Sequence, residues 1–172
     1  MFLNKIKEYW IKKSVKKRLS NIKHTNSDNS IKKIGLLVDQ SRFNDENKLV
    51  AEFQKYGFQK NDIELLIFKD KINTKETINF SEFCANDLNW NETFDKEEVN
   101  HFINSNFDLL ISYYDVEKAP LLITTLNSKA HFKVGFSSVD LRLNQFMIAT
   151  NIENYKIFVT ELFKYLNILN KL

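Results

Sequence analysis

The 172-residue chain has only three glycines, one proline and one cysteine. Gly35, Gly57 and Gly135 are too far apart to draw either GxGxxG or GxxxxGK(S/T), which excludes the familiar dinucleotide and phosphate-loop cradles. So little Gly and Pro also argues against collagen-like and linker-rich designs. Cys84 stands alone, so neither an internal disulfide nor a CxxC zinc or redox site can form. No apolar run approaches the roughly 18 residues that span a bilayer. There is no GxSxG elbow, and His24, His101 and His131 are scattered without neighbouring ligands, so neither a metal centre nor a cofactor is expected.

What is present is globular: 43% hydrophobic, 13% aromatic and 27% charged residues, about one domain's worth of chain. The net charge of +3 conceals an asymmetry. Residues 1–33 carry ten Lys/Arg against Glu8 and Asp28, a balance of +8, while the remainder is −5. A basic arm on a mildly acidic body seeks a polyanion: RNA or a ribosomal particle, an anionic membrane surface, or an acidic protein. The residues expected to make that contact are Lys5, Lys12, Lys13, Lys16, Lys17, Arg18 and Lys23.

Residues 2–23 read as a helix. At 100° per residue, Phe2, Leu3, Ile6, Tyr9 and Trp10 share one arc and Ile11, Val15, Leu19 and Ile22 share nearly the opposite one. An apolar stripe that changes face near Trp10 fits two separate packing contacts better than a helix lying flat on a membrane. One segment is expected to dock on the body or a partner, leaving the Lys/Arg residues as a solvated rim. A secretory signal is not expected, because basic residues interrupt every candidate apolar stretch. His24 to Ser30 is polar and forms the best hinge.

From Ile31 short apolar runs alternate with helical periods, the pattern of βαβ units. Strands are expected at 31–39, 62–69, 107–114 and 131–136, with a short edge strand near Ile78–Phe80 and a fifth strand at 145–150. Helices are expected after Asn44, from a capping box at Asp95 and Glu98, over 116–128 with Pro120 in the first turn, and along the C-terminal Tyr155–Leu169 pattern. The fold class is therefore α/β: a three-layer, Rossmann-like open sheet, mostly parallel, of four to five strands with a basic N-terminal helix. The division expected is 1–30, basic helix and polar linker, and 31–172, a single α/β domain.

Ligands of open parallel sheets bind at the carboxyl ends of the strands. There the sequence offers Asp39, Ser41, Arg42, Asp115 and Ser137 as a candidate cleft. Asp39 and Asp115 stand where acid/base or metal-binding carboxylates would face each other; an Asp just after a strand is more commonly a turn former or helix cap. Cys84, between aromatics, reads as a packing residue rather than a thiolate nucleophile. The segment FSEFCANDLNW (80–90) is aromatic-rich and fits either a loop tucked over a sheet edge or a protein-partner surface.

The strand KIGLLVD, the segment FSEFCANDLNW, the block FDLLISYYDVEKAPLLITTLNSKAHFKVGF and the closing ELFKYLNILNKL resemble, across nearly the whole chain, a family of short Bacteroidota proteins that is catalogued as a domain of unknown function. That resemblance implies a cytoplasmic bacterial protein from a low-GC genome, in keeping with the Asn and Lys bias, and carries no catalytic residues. Over about thirty residues, FDLLISYY, a helix and FKVGF are similar to the acceptor domain of heptosyltransferase-type glycosyltransferases. The chain is too short for the nucleotide-sugar domain such enzymes possess. The functional expectation is thus a non-catalytic module that binds a polyanion, RNA or a ribosomal particle, through the N-terminal helix. The alternatives are a small-ligand binder or enzyme at the strand ends, and peripheral membrane attachment through Phe2, Leu3, Ile6 and Trp10.

Overall fold

A computed structural model describes residues 2–21, 30–72 and 80–172. Lys23, most of the expected hinge and Ile78–Asn79 lie outside the described residues.

The most apolar runs make the centre of the sheet. β1 (Ile34–Asp39) and β4 (Leu109–Tyr113) are buried at every position, as strands covered on both faces must be. β2 (Ile63–Phe68) pairs on the other side of β1, in the register Ile34 with Ile63, and β5 (Phe132–Phe136) pairs outside β4. Two three-residue strands, β3 (Ser81–Phe83) and β6 (Phe146–Ile148), close the edges. All pairings are parallel, and the order is β3-β2-β1-β4-β5-β6. Among the described residues the sheet therefore has six strands instead of four to five, and one edge strand runs over Ser81–Phe83, next to the expected Ile78–Phe80. Strand order reverses between β1 and β4, so a crevice opens at their carboxyl ends.

Helices cover both faces. α2 (Glu46–Gln54) and α5 (Tyr155–Ile168) supply Leu49, Phe53, Phe158, Leu162 and Leu166 to one core. α1 (Phe2–Leu19), α3 (Glu97–Asn104) and α4 (Ala119–Asn127) supply the other. α4 begins with Pro120 in its first turn, where the missing N–H costs nothing. α3 starts at Glu97, with Lys96 rather than Asp95 at its cap and no side-chain cap bond. The expected capping box does not form because the Asp95 carboxylate accepts instead from Asn89 Nδ2 at 2.8 Å. Gly57, at φ +96°, closes the turn after α2 in a conformation that side chains resist.

Several polar groups inside the α4 layer are paired. Ser112, Thr125 and Tyr114 bond through Thr125 Oγ1 at 3.0 and 2.9 Å, and Lys133 Nζ donates to the carbonyls of Thr125 (2.7 Å) and Leu126 (3.4 Å) at the end of α4. Cations stabilise a helix at this terminus. Burial nevertheless lowers the Lys133 ammonium to about 8.

A Cβ on Gly35 would lie 2.6 Å from Cδ2 of the fully buried Phe107 ring. Gly35→Ala is expected to cost about 1–3 kcal/mol in denaturant unfolding; an unchanged midpoint would show that the ring yields freely. For Lys133, the folded state holds fewer protons than the unfolded chain between about pH 8 and the ordinary lysine value of 10.5, so stability rises with pH in that window. Buried Tyr113 and Tyr114, raised above their ordinary 10.0 mainly by desolvation, reverse the trend above pH 10. The unfolding midpoint of the wild type should climb from pH 7.5 to about 9.5 and that of Lys133→Met should not; parallel profiles would refute the assignment.

Candidate functional site

α1 uses one of its two apolar arcs for docking. Ile11, Val15 and Leu19 are buried on the α4 side, while Leu3, Tyr9 and Trp10 on the other arc are 69%, 63% and 55% exposed. Polar pins fix the orientation: Lys7 donates to the carbonyls of Leu88 (2.8 Å) and Ala85 (3.3 Å), and Arg18 bonds Glu92 (2.8 Å) and Asn127 (2.6 Å).

The lysines thereby divide into two groups. Lys12 pairs with Glu8 at 2.8 Å one turn away, and Arg18 is held as above. Lys5, Lys13, Lys16 and Lys17 are exposed and form no ion pair within 4 Å among the described residues. Lys13 stands 5.3 Å over the Trp10 ring, close enough for a cation–π contact. Lys16 lies near Asp140, whose carboxyl is held below its ordinary value chiefly by hydrogen bonding from Arg142, with a smaller contribution from Lys16. No described helix is long and apolar enough to cross a membrane.

The crevice between β1 and β4 collects four of the five cleft candidates, Asp39, Ser41, Arg42 and Asp115, and bonds them to the chain itself. Asp39 is fully buried; its Oδ1 accepts from the Ser41 amide (3.1 Å), Ser41 Oγ (2.6 Å) and Lys118 Nζ (3.2 Å). Its Oδ2 lies 3.0 Å from the same ammonium without hydrogen-bond alignment. Lys118 also donates to Ser41 Oγ and to Asp70 at 2.9 Å, after the end of β2. Arg42 forks onto Asp115 at 3.3 and 3.2 Å, which raises its guanidinium above the ordinary value. Ser137 remains exposed at the end of β5, outside the cluster; its neighbour Ser138 bonds the Asp115 carbonyl at 2.9 Å.

Lys118 is the residue that the sequence reading missed. It belongs to no motif, and its only signal is position: the last residue before α4, one of the helices next to the crevice. Beside it lies a cavity of about 180 Å³, walled by Phe68, Leu88 and Pro120 and roofed by Lys7 and Ile11 of α1. The crevice sets two cations, Lys118 and Arg42, against three carboxylates, Asp39, Asp70 and Asp115, and the Ser41 hydroxyl is held between Asp39 and Lys118. Among the described residues no group of three His, Cys, Asp or Glu is placed to hold a metal ion. The aromatic segment divides: Phe83 and Leu88 are buried, Phe80 is half-buried and Trp90 is 58% exposed.

A buried carboxylate whose cation remains behind is costly to remove. Asp39→Asn is expected to lower stability by about 1–3 kcal/mol, less than a fully enclosed pair would cost because Asp70 still faces Lys118. Combined with Lys118→Met the loss should be smaller than the sum of the single losses. Strict additivity in denaturant unfolding would contradict the pairing.

A family model described as a family of unknown function (DUF6913) matches residues 7–169. No curated protein and no solved structure matches the chain. The match begins within α1 and ends just beyond α5, so it takes in the sheet, both helical layers and the crevice; the chain belongs to the DUF6913 family of unknown function.

Proposed function

We propose that the protein is a non-catalytic binding module that engages a polyanion through the outward face of α1, with phosphate as the group recognised. The observation that carries this reading is the separation of the lysines by the docking of α1. Lys5, Lys13, Lys16 and Lys17 are exposed and form no ion pair within 4 Å among the described residues, on a helix whose other face is packed. Charge of this kind serves RNA backbones and phospholipid headgroups alike; the apolar residues among the lysines separate the two, as argued below.

The crevice supports a ligand site less well. Its place at the strand-order reversal is where open sheets take ligands, and Asp39 Oδ2 is a buried acceptor without an aligned donor. Against that, a ligand there must break the Arg42–Asp115 fork or the Lys118 cluster to gain a charged contact. The likeness to glycosyltransferase acceptor domains falls on β4, α4 and β5, a parallel unit that any doubly wound sheet contains, and lends no support to sugar transfer.

Deleting α1 would uncover the apolar surface beneath Ile11, Val15 and Leu19, so charge reversal is the cleaner test. Lys13→Glu/Lys16→Glu/Lys17→Glu should elute from immobilised polyphosphate at lower salt than the wild type, with an unchanged thermal midpoint. The slope of log affinity against log salt should fall by about 2–3, at roughly 0.7–0.9 per lost phosphate contact. Co-elution of the two proteins would sink the proposal.

A further inference from the structure

The outward face of α1 is not uniformly basic. On the helical wheel Leu3, Ile6, Trp10, Lys13 and Lys17 follow one another at three- and four-residue steps, with Tyr9 and Lys16 flanking them. Along the roughly 27 Å of an 18-residue helix, the first half of this face is apolar and aromatic and the second half is cationic. Leu3, Tyr9 and Trp10 are the most exposed apolar groups of this helix, and none is needed to hold α1 to the body.

This combination selects among phosphate-bearing partners. An RNA backbone rewards the lysines, and its bases stack on Trp10 or Tyr9, but it offers nothing to an aliphatic side chain as exposed as Leu3. A bilayer interface accepts all three types at once: aliphatic groups at the acyl boundary, Trp and Tyr at the headgroup level, and lysines among the phosphates. Resting on the polyanion reading of the same face, we propose that α1 seats the protein on an anionic phospholipid surface, with Leu3, Ile6, Tyr9 and Trp10 entering the headgroup region and Lys13, Lys16 and Lys17 lying among the phosphates.

The docking of α1 removes the sequence-level objection to this arrangement. The second stripe, Ile11, Val15 and Leu19, is spent on the body, so what remains outward is a single amphipathic face. The body then acts as a rigid carrier that holds the face in plane. Neither half of the face is a strong anchor by itself, and reversible attachment of this kind takes two signals, apolar insertion and charge. α5 and its cap also expose apolar groups, Ile157, Tyr165, Ile168 and Leu169, but the helix carries only Lys156 and Lys164 against Glu161. It lacks the second signal.

The test uses the full chain carrying Trp90→Phe, so that Trp10 is the sole indole, and measures cosedimentation and emission with two kinds of vesicle. With vesicles containing ~30 mol% phosphatidylserine, binding and a blue shift of Trp10 emission are expected; pure phosphatidylcholine should give at least tenfold weaker binding. Leu3→Ser/Trp10→Ser should lose vesicle binding at least tenfold yet keep its retention on polyphosphate, whereas the triple Lys→Glu variant should lose both. The proposal is overturned if Trp10 emission does not move, if neutral and anionic vesicles bind alike, or if homopolymer RNA is bound while vesicles are ignored. It is equally overturned if a concentration-dependent dimer disappears in Leu3→Ser/Trp10→Ser, because a second copy then covers the face. Loss of wild-type polyphosphate retention would remove the underlying reading as well, so the two failures are distinguishable.

Discussion

A parallel sheet with no wet face governs this structure. β1 and β4 are buried along their full lengths, so each side must be roofed by helices, and every helix gives one stripe to that task. α2 and α5 roof one side with aromatic-rich stripes, the Phe136 and Phe158 rings meeting 4.8 Å apart beneath them. The other side needs three helices, and α1 is the one recruited from outside the alternating strand–helix series. Its functional interest follows from that recruitment, because docking the Ile11–Val15–Leu19 stripe determines which residues are left facing outward.

The same constraint shapes the crevice. At the strand-order reversal the buried Asp39 has no solvent to stabilise its charge, and Lys118 supplies the missing cation from the start of α4. Ser41 and Asp70 complete the cluster, and Arg42 and Asp115 form a separate fork at the rim. In many open sheets this position is left for a ligand; here side chains of opposite charge from the chain itself pair across it. Four of the five residues identified by position at the strand ends are thus gathered in space and bonded to the chain itself.

Legibility in the sequence followed the strength of the local signal. The central strands could be read because a run such as IGLLVD is apolar in succession, which only a doubly covered strand requires, and α4 could be read from Pro120. Of the edge strands, Phe146–Ile148 falls inside the strand expected at 145–150, whereas Ser81–Phe83 is too short for periodicity to register. The Asp95 capping box did not form: α3 begins at Glu97 with Lys96 at its cap, and the Asp95 carboxylate accepts from Asn89 in the preceding loop. The face change in α1 was visible as two arcs, but which arc docks depends on the surface of α4. Lys118 had only its position before α4 to mark it: an isolated lysine acquires meaning when the fold delivers Asp39, Ser41 and Asp70 to it.

The brevity of β3 and β6 bears on how the molecule meets others. An edge of three residues exposes very few free N–H and C=O groups, and a long flat edge is what permits one sheet to recruit a strand from another chain. With both margins so short, backbone templating has little to grip. Encounters are left to side chains displayed on helices, and such contacts are dissolved by salt or by a single substitution far more readily than a shared sheet would be.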